Sequence, residues 1–330
     1  MANPKQRDSA AQRREQARRQ RDQRLNTNQN TRYRGRGRGK KLSEAWLLVG
    51  GIVLMVAIVV GIFVWAANQQ TGSATKGNVD IQKALTTISP QTFKTVGAGS
   101  AKTLFKPLPS NADIPKGPNG RPQVLYIGAD WCPYCAAQRW AIIASLSRFG
   151  TFGKLDTIAS AEQNIVTFSF HGAKYTSQYI DFVPVETEDN TGKALDTPTT
   201  EQRKLVDTYD APPYVGANEK GSIPFLLVDK VAISSGSFYP PQQLLNLSYQ
   251  DVANDLKDPN SDVSKGIIGA ANYLTTAICR ATNNQPANVC TQEPIPTLDK
   301  SLFTKASNGS GPALALNGVQ LALPERRRYA

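Results

Sequence analysis

The sequence contains few of the residues that most often bind transition metals. It has one histidine, His171, and four cysteines among 330 residues. A histidine-rich metal site or a relay through several histidines is therefore excluded, and His171 is expected to have a surface or packing role. The chain also lacks a phosphate-binding loop, a GxGxxG motif after a strand and a GxSxG nucleophile motif. We therefore predict no metal and no organic cofactor.

Charge is unevenly spread along the chain. Of the net charge of +12, residues 1–44 contribute +10 through fourteen basic and four acidic side chains, and residues 325–330 contribute the other +2. The residues between these ends are neutral overall. The sequence pI of 9.5 therefore describes the termini, and nucleic acid is not an expected partner of the central part of the chain.

Residues 45–67 form a 23-residue run without charge, AWLLVGGIVLMVAIVVGIFVWAA. At about 1.5 Å per residue, a helix of this length spans the hydrocarbon layer of a bilayer. A cleaved signal peptide is disfavoured because its apolar region and its leader would both be shorter. The run predicts a single membrane-spanning helix in the cell membrane, and the basic flank predicts a cytoplasmic N-terminus with the rest of the chain outside the cytoplasm.

The basic segment of residues 1–44 is expected to be a disordered cytoplasmic tail, since it has almost no large apolar residues. Three interpretations remain open: a topology signal only, attraction to anionic lipid, and weak binding of nucleic acid through RGRGRGKK at its end. Residues 68–89 are predicted to be a linker to the globular part.

The most informative stretch starts with the apolar run Val124 to Ile127, which predicts a buried central strand. The sequence GADWCPYCAAQRWAIIASLSRFG follows, in which Pro133 suits the first turn of a helix and Gly150 suits its end. Cys132 is then expected at the start of a helix, and Cys135 one turn further along.

This placement favours redox chemistry. The positive end of the helix dipole lowers the pKa of a thiol at Cys132, and a spacing of three residues allows Cys135 to close or resolve a disulfide. A zinc half-site and an inert structural disulfide are the alternatives, but no second close cysteine pair is present for zinc. Asp130 is expected to be a solvated turn acid, with help in proton transfer from Cys135 as the alternative, and Arg139 either adds positive potential or lies outside the site.

The motif WCPYC after a buried strand resembles the thioredoxin superfamily, and the segment GSIPFLLVDK at residues 221–230 resembles the second hallmark of that superfamily. The resemblance implies a thioredoxin-like α/β fold in which the Ile223–Pro224 bond is cis and packs against the cysteine pair. It also implies that Trp131, Pro133, Tyr134, Ile223 and Pro224 bind substrate, with the backbone of Ile223 pairing with an extended segment.

A narrower likeness covers roughly residues 90–290. Residues 126–152 together with TFSFHGAKYTSQYIDFVPVE at 167–186 resemble an uncharacterised prokaryotic family of membrane-anchored thioredoxin-like proteins, classed as a domain of unknown function. This resemblance supports the fold and the topology rather than a reaction.

The predicted globular part has two sections. Residues 90–258 are assigned to a thioredoxin-like domain with an insertion near 165–214, which includes strand-like runs at 165–170 and 179–186 and a helix from Pro198 capped by Thr197. A hairpin at 225–234 and a helix at 240–256 follow. Residues 259–330 are assigned to a helical extension and a C-terminal tail, with a helix at 262–280.

Cys279 and Cys290 are predicted to form a structural disulfide across a polar loop, because disulfides persist outside the cytoplasm. The alternative is that this pair passes electrons to Cys132 and Cys135.

Together these features predict a membrane-anchored, extracytoplasmic thiol-disulfide oxidoreductase in which Cys132 and Cys135 are catalytic. Its expected partners are the lipid bilayer through 45–67, extracytoplasmic protein thiols or disulfides, and a membrane redox partner. A non-enzymatic binding or assembly module with a structural CPYC disulfide is one alternative. A cytoplasmic tail that is the functional end, with the outer domain as its sensor, is the other.

Overall fold

The computed structural model describes residues 78–304. The predicted tail at 1–44, the predicted membrane span at 45–67, residues 68–77 of the predicted linker and residues 305–330 lie outside the described residues. Within 78–304, none of the helices combines the length and the apolar character that a membrane crossing needs.

A five-stranded sheet forms the centre of the described chain, with the strand order β1-β9-β8-β2-β7. Strand β7 runs parallel to β2, and the other neighbours are antiparallel. The predicted mixed α/β class is thus confirmed. The strands of this sheet are β1 (Lys106–Pro107), β2 (Gln123–Gly128), β7 (Asp181–Glu186), β8 (Phe225–Val228) and β9 (Ala232–Ser235).

Strand β2 lies in the interior because both of its faces are apolar. Val124 and Tyr126 point into the larger core cluster, and Leu125 and Ile127 point into a smaller cluster on the opposite face. Alternation along a strand sends successive side chains to opposite sides of a sheet, so a continuous apolar run suits a strand that is covered on both faces.

Two short ladders lie outside the central sheet. Strand β3 (Gly150–Phe152) pairs with β6 (Tyr175–Ser177), and β4 (Asp156–Ala159) pairs with β5 (Val166–Ser169). The predicted insertion at 165–214 is therefore not a single inserted unit, because it contains β7, a strand of the central sheet.

Helices cover the sheet and supply most of the larger core. In chain order the helices are α1 (Asn78–Thr86), α2 (Pro90–Val96), α3 (Pro133–Leu146), α4 (Thr200–Tyr209), α5 (Tyr249–Asp255), α6 (Asp262–Ala281), α7 (Ala287–Cys290) and α8 (Ile295–Asp299). Two 3₁₀ turns at Ala217–Glu219 and Pro241–Leu244 and a π-helical turn at Lys300–Thr304 complete the set.

Helix α3 is buried along almost its whole length between the sheet and α6. The Ser145 and Thr275 hydroxyls form a hydrogen bond of 2.9 Å between these two helices. Helix α6, which was predicted to begin a C-terminal extension, therefore packs in the same core as the strand and helix that carry the CPYC motif.

Three predicted helix boundaries were wrong. Helix α3 ends at Leu146, and Gly150 instead begins β3. Helix α4 is capped by Thr199, whose hydroxyl and the Gln202 side chain form a reciprocal capping box. The predicted helix at 240–256 is divided because Asn246 has a φ of 61° and Ser248 caps a new helix.

Candidate redox site

Cys132 occupies the N-cap position of α3. Its backbone is extended, with φ −81° and ψ 123°, and Pro133 begins the helix. The Cys135 backbone N–H donates a hydrogen bond to Cys132 Sγ at 3.3 Å. The sulfur thus takes the place that a capping oxygen occupies in most helices, and it receives one of the free N–H groups of the first turn.

Both cysteines of the pair are buried free thiols, with Cys132 3 % exposed and Cys135 fully buried. Cys132 is the more accessible of the two because it precedes the helix, whereas Cys135 is one turn inside it. An attacking thiol has to be reached by its substrate and a resolving thiol does not, so this asymmetry is compatible with the roles predicted for the two cysteines.

The surroundings shift the two thiols in opposite directions. Burial raises the pKa of Cys132, but hydrogen bonds from the Cys135 side chain and backbone and the positive charge of Arg139 outweigh burial, so that this pKa is lowered overall. Burial, the hydrogen bond with Cys132 and the charge on Cys132 raise the pKa of Cys135 well above its ordinary value. The site thus favours a thiolate at Cys132 and a protonated thiol at Cys135.

The loop before β8 approaches the first cysteine. The Ile223–Pro224 peptide bond is cis, and the Ile223 carbonyl oxygen lies 3.9 Å from Cys132 Sγ. In its thiol form Cys132 donates to this carbonyl. The structure therefore brings the Cys132–Cys135 pair close to Ile223 and Pro224, which lie far from that pair in the sequence.

Trp131, Pro133 and Tyr134 flank the sulfur atoms. Trp131 and Tyr134 are partly exposed, and Pro133 is buried. The Trp131 indole N–H donates to a carboxylate oxygen of Glu188 at 2.8 Å, which fixes the orientation of the ring. Partly exposed aromatic side chains such as Trp131 and Tyr134 can offer contact surface to a polypeptide.

A buried ion pair lies behind Cys135. The Arg139 guanidinium donates to both carboxylate oxygens of Glu186, at 2.7 and 2.8 Å, and to the Ala129 carbonyl at 2.7 Å. Both charged side chains are fully buried. Sequence reasoning left the place of Arg139 open and did not select Glu186, although an arginine directly before the apolar run WAIIASL was the available signal.

Asp130 is not the solvated turn acid that the sequence suggested. It is 6 % exposed, one of its oxygens accepts a hydrogen bond from the Ser169 hydroxyl at 3.1 Å, and the other lies 3.5 Å from Arg139. Burial and the neighbouring charge of Glu186 raise its pKa to about 6, against the opposing charge of Arg139. Asp130 is buried because β5 and the end of β7 lie against the turn that precedes Cys132.

Cys279 and Cys290 are bonded to each other, with Cα atoms 5.4 Å apart. Cys279 lies near the end of α6, and Cys290 is the last residue of α7. The disulfide closes the loop between these helices.

The remaining candidates give no metal site. His171 is at the surface, and its Nδ1 lies 2.8 Å from an Asp196 carboxylate oxygen. Over residues 78–304, no group of three or more histidine, cysteine, aspartate or glutamate side chains is arranged to hold a metal ion.

Comparison with known proteins gives one match. Residues 110–215 match a family described as a domain of unknown function (DUF929). No curated protein and no solved structure matches the chain. The matched region contains both cysteines of the CPYC motif, Arg139 and Glu186, and the chain is thus similar over this region to a family whose activity is not described.

Proposed function

We propose that this protein is a thioredoxin-like thiol-disulfide oxidoreductase that acts on protein thiols or disulfides through Cys132 and Cys135. The observation that carries the proposal is the position of Cys132 Sγ, which caps α3, accepts the Cys135 N–H and faces the Ile223 carbonyl. A CxxC at a helix start within a βαβ unit is typical of thioredoxin-like redox sites, and β2, α3 and β7 form such a unit.

The proposed reaction is an exchange of one disulfide for another. In the reducing direction, the Cys132 thiolate attacks a substrate disulfide, forms a mixed disulfide and releases one substrate thiolate, which takes up a proton. The Cys135 thiol loses its proton and attacks Cys132 Sγ. The Cys132–Cys135 disulfide forms, and the second substrate sulfur leaves as a thiol.

The oxidising direction uses the same atoms in reverse. A substrate thiolate attacks Cys132 in the Cys132–Cys135 disulfide, and Cys135 leaves as a thiolate that takes a proton. A second substrate thiolate then attacks the substrate sulfur of the mixed disulfide, so that the substrate disulfide forms and Cys132 leaves as a thiolate. The disulfide of a redox partner in the membrane reoxidises the Cys132–Cys135 pair, whereas in the reducing direction a dithiol of that partner reduces it. The reduction potential of the pair in the full chain, measured against glutathione, assigns the direction.

The substrate surface follows from the same geometry. An extended polypeptide beside Ile223 reaches the sulfur of Cys132 through backbone hydrogen bonds, as in strand addition, and Trp131 and Tyr134 provide contact for its side chains.

We further propose that this chemistry takes place outside the cytoplasm, on a domain anchored by residues 45–67. The support is the uncharged run, its basic N-terminal flank and the bonded Cys279–Cys290 pair, since such bonds persist in oxidising compartments. In intact cells, a membrane-impermeant protease should remove the domain and leave the tail protected. Protection of the domain would contradict this topology.

The test of the proposed function is a trapping experiment in the full chain with Cys135→Ser. Without a resolving thiol, the mixed disulfide at Cys132 persists and is recovered as a reductant-sensitive adduct on non-reducing gels. The matched control is the double variant Cys132→Ser with Cys135→Ser, which differs from the trapping variant only in lacking the attacking thiol. Equal recovery from both variants, or no adduct from either, would contradict the enzymatic proposal and favour a binding module.

A further inference from the structure

Two hydroxyl groups in the core, those of Tyr126 and Ser234, have no hydrogen-bond partner among the residues that the structure describes. Tyr126 on β2 is fully buried, and its Oη is unpaired. A buried hydroxyl without a partner costs free energy, and a phenylalanine would pack in the same place without that cost. This unpaired hydroxyl suggests a function in a state of the protein other than the one with free Cys132 and Cys135 thiols.

The Tyr126 hydroxyl and the resolving cysteine both lie next to Gly128. A methyl group built on Gly128 would lie 2.1 Å from Tyr126 Oη and 3.1 Å from Cys135 Sγ. The hydroxyl and the sulfur consequently border the same small space, and only a glycine at position 128 leaves that space free.

The Arg139 guanidinium borders the same region. Its Cζ lies 5.9 Å from the centre of the Tyr126 ring, and its positive charge acts on Tyr126, Cys132 and Cys135. Glu186 holds Nε and one terminal nitrogen, whereas the other terminal nitrogen is buried without a hydrogen-bond partner among the described residues. The Tyr126 hydroxyl and one Arg139 nitrogen are thus two buried donors without acceptors in the region of the buried Cys135 thiol.

Resolution requires a negative charge at this thiol. In the free pair, burial, the hydrogen bond with Cys132 and the charge on Cys132 all raise the pKa of Cys135. Once Cys132 is held in a mixed disulfide it carries no charge, and burial is the main remaining obstacle. Hydrogen-bond donors that are already in place would lower the free-energy cost of a buried negative charge on Cys135. A preoriented dipole in a dry site stabilises charge at little reorganisation cost.

We propose that the Tyr126 hydroxyl and the Arg139 guanidinium form a preorganised donor pair for the Cys135 thiolate, and that Tyr126 is a catalytic residue of the resolving step. The inference rests on the proposed function and deepens it. The Tyr126 O–H donates to Cys135 Sγ while that sulfur is anionic and keeps its own proton. The proton of Cys135 passes to solvent, the Cys132–Cys135 bond forms, the Cys132–substrate bond breaks, and the departing substrate thiolate takes a proton.

The charged and titratable groups around Cys135 come from three elements and a turn. They are Tyr126 on β2, Cys132 and Arg139 on α3 and its cap, Glu186 on β7, and Asp130 in the turn before the cap.

The test uses the full chain with Cys132 and Cys135 reduced and the substitution Tyr126→Phe. The probe is dithiobis-nitrobenzoate, which releases one coloured nitrothiobenzoate when Cys132 attacks and a second one when Cys135 resolves the adduct. The first release should be unchanged. The second should slow about tenfold at neutral pH, the size of one hydrogen bond to an anion, and its pH profile should move to higher pH.

Tyr239→Phe is the matched control. The Tyr239 hydroxyl is equally buried but donates to the Ala137 carbonyl on α3 at 2.5 Å. Its loss should lower the midpoint of denaturant unfolding and leave both releases unchanged. Tyr126→Phe should show the opposite pattern, with an unfolding midpoint that is equal or higher.

Each other outcome contradicts one of the two proposals. If the first release is absent in the unsubstituted chain, the proposed function fails. If both releases occur and the second has the same rate and pH profile in Tyr126→Phe, only the role of Tyr126 fails. If Tyr126→Phe unfolds, the hydroxyl is structural and the role is again rejected.

Discussion

The two cysteine pairs of this protein differ in where each stands on its helices. Cys132 precedes α3 and Cys135 lies in its first turn, so the positive end of that helix acts on the first sulfur. Cys279 lies in the last turn of α6 and Cys290 ends the short α7, where helix dipoles present negative charge. A helix start favours a thiolate, whereas a helix end disfavours one.

The pairs also differ in their neighbouring ion pairs. Arg139 and Glu186 behind the first pair are fully buried, while Arg280 and Asp299 beside the second are 47 % and 38 % exposed. A buried cation acts on nearby thiols with little screening by solvent, whereas an exposed one acts weakly. The first pair therefore differs from the second in three features, which are its closer spacing, its position at a helix start and its buried neighbouring charge.

Replacing cysteines should separate the two pairs most sharply. Cys132→Ser should abolish exchange, a loss of several orders of magnitude, because serine supplies no thiolate. The double substitution Cys279→Ser with Cys290→Ser should leave exchange intact and lower the free energy of unfolding by about 2 to 3 kcal/mol. Turnover of a disulfide-linked peptide and urea unfolding measure the two effects. Loss of turnover with intact stability in the serine double variant would instead indicate electron transfer between the pairs.

Neutralising one acid in each ion pair should give the next largest difference. Glu186→Gln leaves the buried Arg139 charge without its partner and should cost about 3 to 5 kcal/mol of unfolding free energy. Asp299→Asn beside the second pair should cost less than about 1 kcal/mol, because the exposed pair is screened. Urea unfolding of both variants provides the measurement. Similar costs would mean that the buried pair is not electrostatically important.

The parts of the site that the sequence predicted are those with local signals. The apolar run of β2, Pro133 in the first turn and the three-residue spacing together place Cys132 at a helix start without knowledge of the rest of the chain. The approach of Ile223 depended on a resemblance, because no local rule brings residue 223 to residue 132.

The parts that escaped sequence reasoning are long-range pairings of polar groups in the core. Arg139 meets Glu186 only because β7 aligns in parallel with β2, a register that sequence patterns do not specify. The same register placed β7 in the central sheet rather than in an insertion. The burial of Asp130 has a similar origin, since its partner Ser169 comes from β5.

A buried acid near the Ile223 loop should make stability depend on pH. Asp210 follows α4 as its C-cap residue, its backbone carbonyl accepts the Gly221 N–H, and its carboxylate is buried. Burial, with a smaller effect from Glu219, raises the pKa of Asp210 from 3.8 to about 7, against a hydrogen bond with the Ser235 side chain that lowers it. The loop between Cys279 and Cys290, RATNNQPANV, contains no acid.

The sign of that dependence follows from proton binding. Between pH 4 and pH 7 the folded chain keeps a proton that the unfolded chain has lost, so this contribution is complete below about pH 4 and disappears as the pH rises through about 7. Asp210→Asn should flatten the fall in unfolding free energy over this range, by at most about 4 kcal/mol. Asp207→Asn, an exposed acid on the same helix, is the control and should leave the profile unchanged. An unchanged profile in Asp210→Asn would show that water reaches the carboxylate.

The smallest expected effect tests the asymmetry within the first pair. Because the pKa of Cys132 is lowered and that of Cys135 is raised, alkylation by iodoacetamide should modify Cys132 first, and its rate should level off below the ordinary thiol value of about 8.5. The control is Cys132→Ser, in which the remaining Cys135 should react slowly even at alkaline pH because it is fully buried. Mass spectrometry of the modified peptides identifies the reacting thiol at each pH. If Cys135 were modified first, the order of attack and resolution would be reversed, and the contrast between a helix-start thiol and a buried one would not determine reactivity here.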